Sequence, residues 1–347
     1  MADRRKHRTV ELDGDKIEAL MNVRGWSSEE LARRAVISTA NVSLLLRNDH
    51  PVLWSTARKL MKAFEIESVE EIRPDPTTAT AKPSAKQIQE WLFDEPQSKW
   101  ITASNQLQFR IWRLRHEHLS KHARGKCYDL MGMSSAERER CKALLLRHAE
   151  VCSRLGRHLH IITNLTTCEV ESSDQWWVID EWIEGKTLGD RLQAGACEIE
   201  SVKIWGRQLA EALRAMHNRG ILRRELSPQT VLIEEQSGDA VLTEFELAKL
   251  LDGSPTVSQD DWPVDPYRAP EAISDKVGTR ADIYSWARIV VHMLLGELPE
   301  KGKEKSRIAK AELSDEMKSM LTKCVSASWR SRPSDINKVL SALQAWK

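Results

Sequence analysis

The sequence predicts two domains of different class, a small all-α bundle followed by a larger α+β domain. Three observations predict this division. At 347 residues the chain is long for a single hydrophobic core. Residues 15–73 carry apolar side chains at helical spacing. Beyond a stretch rich in Pro, Thr and Ala, strand-like runs give way to long amphipathic helices.

Composition removes several function classes. The 52 Lys and Arg nearly balance 51 Asp and Glu, so no whole-chain field draws the protein to nucleic acid or to a membrane. The six cysteines (127, 141, 152, 168, 197 and 324) include no C-x-x-C pair, and no histidines cluster beside them at zinc spacing. Reduced, buried thiols and a cytoplasmic location are expected, with no metal and no cofactor. The opening MADRRKHRTVELDGDK lacks an apolar core and does not read as a secretory signal. The most apolar run, Ile289 to Leu295, contains His292 and is far short of the roughly 20 residues that span a bilayer. Thirteen Trp residues provide large amphipathic rings suited to cores and to partner surfaces.

In the first domain, Ile17, Leu20 and Met21 mark a helix that ends at Gly25-Trp26-Ser27. Ser27 with Glu30 has the spacing of a capping box and opens the helix SSEELARRA. The turn Val36-Ile37-Ser38 leads into STANVSLLLRND. Leu53, Ala57, Leu60, Met61 and Phe64 then lie on one face of a further helix. The segment WSSEELARRAVISTANVSLLLRND resembles the helix-turn-helix of the Cro/repressor-like (XRE-type) class over about sixty residues. In that class the second helix reads the major groove with its N-terminal residues. The resemblance implies base contacts from Ser38, Thr39, Asn41 and Ser43, and phosphate contacts from Arg33, Arg34 and Arg47. The basic tail, residues 1–14, with Arg4, Arg5, Lys6, His7 and Arg8, would follow the DNA backbone. Against this, residues 1–73 hold 13 Lys and Arg and 12 Asp and Glu, a balance that also suits a protein-docking module. Such modules often bind as dimers, so a homodimer is a further expectation.

Arg73 to Lys86 (RPDPTTATAKPSAK) has no apolar period and reads as a semi-extended linker, taken to run over 74–97. In residues 98–347, QFRIWRLRHEHL and GKCYDLM read as strands and SAERERCKALLLRHAEVCSRLG as a long helix. QWWVIDEW reads as a strand. A second long helix is expected to be buried on its Ile204, Leu209, Leu213 and Met216 face.

After that helix come RGILRRELSPQTVLI, AVLTEFELAK, DPYRAPE, RADIYSWARIVVHMLLGELP and SRPS. In that order they resemble the catalytic loop, magnesium loop, activation-segment end, central helix and late arginine of eukaryotic-type protein kinases. The whole chain thus reads as an all-α helix-turn-helix domain followed by an α+β bilobal kinase-like fold. The resemblance implies an ion pair between Glu271 and Arg332, and Asp282 holding the catalytic-loop backbone.

The positions that carry the chemistry differ from the family pattern. Phosphoryl transfer there uses an aspartate as base, and an asparagine and an aspartate on magnesium. The corresponding residues are Glu225, Thr230 and Glu244, and the loop lysine is Ser227. An added methylene moves a carboxylate by about 1.5 Å, and magnesium is bound at roughly 2.0–2.1 Å in near-octahedral geometry. Glu246 replaces a glycine and adds negative charge. Two like charges about 4 Å apart cost about 4 kcal/mol at an effective dielectric near 20, and the sequence shows nothing to compensate them.

Residues 101–131 contain one glycine, Gly125, where a phosphate-covering loop needs several. The usual register puts Asp129 in the place of the phosphate-binding lysine, with Lys126 nearby. The helix glutamate that normally pairs with that lysine falls near His148. His217, before the catalytic loop, reads as a capping or packing residue.

These substitutions favour a pseudokinase. The expectation is a bacterial, non-catalytic regulator that couples a DNA-binding helix-turn-helix to a kinase shell holding a protein partner, without ATP. Two alternatives are an adaptor that docks proteins without DNA, and a divergent active Ser/Thr kinase recruited by its front module.

Overall fold

The computed structural model describes residues 9–47, 51–66, 68–73, 87–102, 107–130, 133–170, 174–251, 265–272 and 277–346. The chain divides into two compact units, residues 1–86 and 87–347.

In the first unit, β1 (Thr9–Val10) pairs with β2 (Val52–Leu53) beside four helices. These are α1 (Gly14–Val23), α2 (Ser28–Ala35), α3 (Thr39–Leu46) and α4 (Trp54–Phe64). Ile17, Leu31, Val42, Ala57, Leu60 and Phe64 are fully buried and form the core, and Trp26 stacks on Phe64 with ring centroids 5.4 Å apart. Residues 9–13 belong to this unit rather than to a tail: Val10 and Leu12 are buried and Asp13 caps α1 by accepting from the Lys16 amide. Arg4 to Arg8 lie outside the described residues.

Ser27 caps α2 by accepting from the Glu30 amide at 3.2 Å. The capping box is not completed. The Glu30 carboxylate turns to Arg33 and Arg34 instead.

Helix α2 ends in a Schellman turn, with the Ile37 amide donating to Ala32 and the Val36 amide to Arg33. The left-handed residue of that turn is Val36, at φ 53°. A β-branched side chain is strained there, and this one is exposed. Replacing Val36 by glycine is therefore expected to stabilise the first unit by about 1 kcal/mol. A lower melting temperature in Val36→Gly would show that the side chain has a packing role that outweighs the strain.

The second unit opens with β3 (Gln87–Ile88) and β4 (Trp91–Pro96), where a linker was expected to run to residue 97. β3 pairs with β4, and β4 is held by pairing with a segment about twenty residues further on, which a local reading does not see. Then follow β5 (Ile101–Thr102), β6 (Gln108–His116), β7 (His122–Asp129), α5 (Ser135–Leu155), β8 (Asn164–Val170) and β9 (Gln175–Glu181). The sheet has the order β3-β4-β6-β7-β9-β8, with β5 also on β6, and every pairing is antiparallel.

Alternation along the strands gives the sheet two different faces. Trp91, Trp112, Leu114, Cys127 and Trp177 pack on one face; Phe109, Tyr128, Val178 and Leu145 of α5 pack on the other. Gly125 serves the first face. A Cβ there would sit 2.6 Å from the Leu114 side chain, so close packing requires this glycine.

The remainder is mostly helical: β10 (Gly185–Thr187), α6 (Leu188–Leu192), α7 (Ile199–His217), β11 (Ile221–Leu222), β12 (Val231–Glu234), β13 (Ala240–Leu242) and β14 (Lys249–Leu250), then α8 (Thr279–Leu295), α9 (Glu304–Lys310), α10 (Asp315–Cys324) and α11 (Ile336–Gln344). Helix α7 buries Trp205, Leu209, Leu213 and Met216, whereas Ile204 is exposed. Helix α8 is buried almost all round, with Trp286 donating its indole N–H to the Gly206 carbonyl at 2.8 Å. No described helix is long and apolar enough to cross a membrane.

Candidate active site

Two loops meet beneath β7. The first runs from Arg223 to Thr230 and the second from Thr243 to Glu246. Asp282, at the start of α8, anchors the first: its two carboxylate oxygens accept from the backbone amides of Arg223 and Arg224, each at 2.9 Å. The same carboxylate meets His217 Nε2 at 2.8 Å, so this histidine is tied to the scaffold. Thr230 links the loops, since its carbonyl accepts from both the amide and the hydroxyl of Thr243. Its own hydroxyl donates to the Ser227 carbonyl at 3.0 Å and accepts from the Ser227 amide, so it is used within the loop.

Both loops contain a non-glycine residue in the left-handed region, Arg224 at φ 61° and Glu244 at φ 61°. Such conformations cost on the order of 1–3 kcal/mol and cluster where function demands a particular backbone path. Glu225 follows Arg224 in the first loop, half-buried, with its amide donating to the Arg223 carbonyl at 2.7 Å. Arg223 is fully buried. Its guanidinium lies 4.8 Å from the Phe245 ring centroid and donates to the Thr243 carbonyl, binding the second loop to the first.

Strand parity decides what faces these loops from above. Arg124, Lys126 and Tyr128 alternate along β7 and share its inner face. Lys126 Nζ lies 3.1 Å from Glu244 Oε2 and 3.4 Å from Glu246 Oε1, over the Phe109 and Tyr128 rings. Arg124 donates to Glu244 Oε1 at 2.9 Å, and the Tyr128 hydroxyl donates to Glu246 Oε1 at 2.6 Å. Of the two register candidates, Lys126 is therefore the one that faces the loops. Asp129, which the sequence register favoured, sits at the strand end beside Gln175.

These contacts also supply the compensation for Glu246 that the sequence did not reveal. Burial alone would raise both carboxyls. Lys126, with Arg124, holds Glu244 below the usual carboxylate range. Lys126, the Tyr128 hydroxyl and, when its ring is protonated, His148 bring Glu246 down to about 2. Both are anionic at neutral pH. Burial, followed by the neighbouring Glu246, pushes the Tyr128 phenol well up, so it stays protonated and able to donate.

The remaining sequence candidates lie elsewhere. Glu271 and Arg332 form a two-pronged ion pair, Arg332 Nη2 reaching Glu271 Oε2 at 3.0 Å. In the first unit, Ser38 is the N-cap of α3, accepting from the Asn41 amide, and Ser43 donates to the Thr39 carbonyl. Thr39, Asn41 and Arg47 are exposed, and Arg33 and Arg34 are bound to Glu30. Both arginine side chains remain exposed while paired with Glu30. Arg124, Tyr128 and Asp180 were missed from sequence, although the alternation of β7 was there to place the first two beside Lys126.

No group of three or more His, Cys, Asp and Glu side chains among the described residues is arranged to enclose a metal ion. What the site offers is two ionised carboxylates, a buried ammonium and a guanidinium around one point, next to a half-buried glutamate on an anchored loop.

Residues 116–346 match the protein kinase domain family. The chain is 35% identical over 139 residues to the serine/threonine-protein kinase pkn2 of Myxococcus xanthus, covering 38% of this chain and 17% of that protein. It is 28% identical over 200 residues to a chain of Clostridium perfringens named as a probable serine/threonine-protein kinase, covering 51% and 29%. It is 30% identical over 146 residues to the serine/threonine-protein kinase chk1 of Schizosaccharomyces pombe, covering 41% and 29%. The chain spans less than a third of the length of these relatives.

These matches overturn the expectation of a non-enzymatic pseudokinase acting as a DNA-binding transcription regulator. The relatives are named as Ser/Thr kinases, and the divergent active kinase is the reading they favour. The argument from missing aspartates treated each altered residue alone, whereas Lys126, Arg124 and Glu244 act on one another. Fold, loop order and the match over residues 116–346 agree: the chain belongs to the protein kinase domain family.

Proposed function

We propose that the chain is a divergent serine/threonine kinase that transfers the terminal phosphoryl group of a nucleoside triphosphate to a protein hydroxyl. The observation that carries this reading is Lys126 Nζ, 3.1 Å from the carboxylate of Glu244, in the loop joined through Thr230 and Arg223 to the anchored loop that bears Glu225. A phosphate-binding cation and a metal-binding carboxylate are thereby brought to one point.

The residues fit magnesium and a nucleotide in kind. Magnesium is commonly held by one or two carboxylates plus substrate phosphates rather than by an all-protein cage, consistent with the absence of an enclosed metal cluster among the described residues. Glu244 would hold the metal, which when bound neutralises charge on the transferring group. Lys126 and Arg124 would hold phosphate oxygens. Glu225 would accept the proton of the substrate hydroxyl while the hydroxyl oxygen bonds to the terminal phosphorus and the bond to the leaving diphosphate breaks. The first unit serves as a docking module for the protein substrate. The internal pairing of Arg33 and Arg34 with Glu30 and the exposed Val23 and Val36 support that role.

The test is phosphate incorporation from labelled ATP, with magnesium, into a general Ser/Thr substrate and into the protein itself. Glu225→Gln is expected to lower turnover by about 10²–10⁴-fold with little change in melting temperature, as for loss of a general base. Saturating magnesium-ATP, at a hundred times its Kd, should stabilise the wild type by about 2.7 kcal/mol. A wild type with neither incorporation nor stabilisation would overturn the proposal.

A further inference from the structure

Helix α5 presents His148, fully enclosed, to both loop and sheet. Its Nε2 lies 2.9 Å from Asp180 Oδ1 on β9, and its Nδ1 receives the backbone N–H of Phe245 at 3.1 Å. A single imidazole thus joins the helix, the last turn of a central strand and the peptide unit between Glu244 and Glu246. The first contact needs Nε2 to carry hydrogen, and the second needs Nδ1 to have a free lone pair. Together they define the neutral Nε2–H tautomer. Asp180 is itself oriented by the Asn164 amide, which donates to the same oxygen at 2.9 Å.

We propose that His148 and Asp180 are a positioning pair that holds the Glu244–Glu246 loop through the Phe245 amide, and that protonation of His148 releases it. Once Nδ1 carries a proton it faces the Phe245 N–H donor to donor. The amide must then turn away, and Glu244 and Glu246, bonded to either side of it, lose their placement on Lys126 and Arg124.

The groups facing His148 set the direction of the response. From α5, Cys152 Sγ lies 3.7 Å from Nε2; from β9 comes Asp180; from the loop comes the Glu246 carboxylate; and Arg124 on β7 faces Asp180. Burial opposes a second proton, but Asp180 and then Cys152 more than offset it and draw the imidazole well above the ordinary histidine range. The Phe245 amide works against them by donating only to an unprotonated ring. With opposed influences of this kind the balance is sensitive to pH, and acid favours release.

The consequence for phosphoryl transfer rests on the proposed kinase activity, but the device itself is read without nucleotide. Hydrogen exchange of the peptide containing Phe245, corrected for the intrinsic rate, is followed from pH 9 to pH 5 in the full chain. Protection of the Phe245 amide should fall at least tenfold as pH is lowered. His148→Gln, whose carbonyl can accept from Phe245 while its amide donates to Asp180, should keep protection and lose the pH dependence. Asp180→Asn should move the transition to lower pH. Protection that does not vary with pH in the wild type, or a transition unmoved in Asp180→Asn, overturns the proposal. So does a folded His148→Gln protein that exchanges as fast as His148→Leu. Should His148→Leu fail to fold, the wild-type profile and Asp180→Asn still decide.

Discussion

Arg332→Ala is expected to destabilise the larger unit by about 3–5 kcal/mol, the usual cost of removing one partner of a buried ion pair. The Arg332 side chain is wholly inaccessible. Besides the two oxygens of Glu271, its guanidinium donates to the carbonyls of Ser326, Arg280 and Ala327 and lies 4.6 Å from the Tyr284 ring centroid. Removing it leaves the Glu271 carboxylate and three carbonyls without their donor. The melting temperature should fall by roughly 6–20 °C, at about 2–4 °C per kcal/mol for a unit of this size. Arg332→Lys should recover only part of the loss, because an ammonium cannot reproduce the two-pronged contact. A melting curve unchanged in Arg332→Ala would mean that this corner of the fold is held by packing alone.

Lys126→Met is expected to have a similar effect on stability and a larger one on activity. The ammonium lies between Glu244 and Glu246, and without it two buried carboxylates face each other with Arg124 left to serve one of them. The cost is again about 3–5 kcal/mol. Because the cause is an excess of negative charge, adding Glu246→Gln should restore a substantial part of the stability, a coupling of the 0.5–3 kcal/mol size seen for residues in one network. Phosphoryl transfer should not return in the double variant, since the cation proposed to hold phosphate is still missing. Additive effects in the thermal melt would show that Lys126 and Glu246 do not depend on one another, contrary to the shared contact seen here.

Much of the architecture was legible in the sequence, because helical periodicity, capping residues and the order of short loops are local properties of the chain. The apolar spacing around Leu31, Leu45, Leu60 and Phe64 marks the first core, and the five loop motifs, in order, indicate a kinase-like chain before any coordinate is known. Ile204 illustrates the limit of that approach. It lies on the correct helix but one position from the buried face, where Trp205 packs instead. Strands β3 and β4 escape a linear reading for a related reason: two- and six-residue strands carry almost no periodic signal, and it is the pairing of β4 with β6, and of β3 with β4, that makes them strands.

The tertiary structure alone decided how the charges of the site are balanced. Glu244 and Glu246 follow Lys126 by about 120 positions, so nothing local shows that one ammonium serves both carboxylates. Strand parity selects Lys126 over Asp129, and close packing of Leu114 over Gly125 sets the face on which that lysine points. His148 likewise takes its meaning from Asp180 and Phe245, which reach it from a different strand and a different loop. Chain order and local spacing are encoded along the sequence and identify the family. The ionisation and placement of a buried group depend on which charges lie within a few ångströms of it, and only the folded chain determines those neighbours.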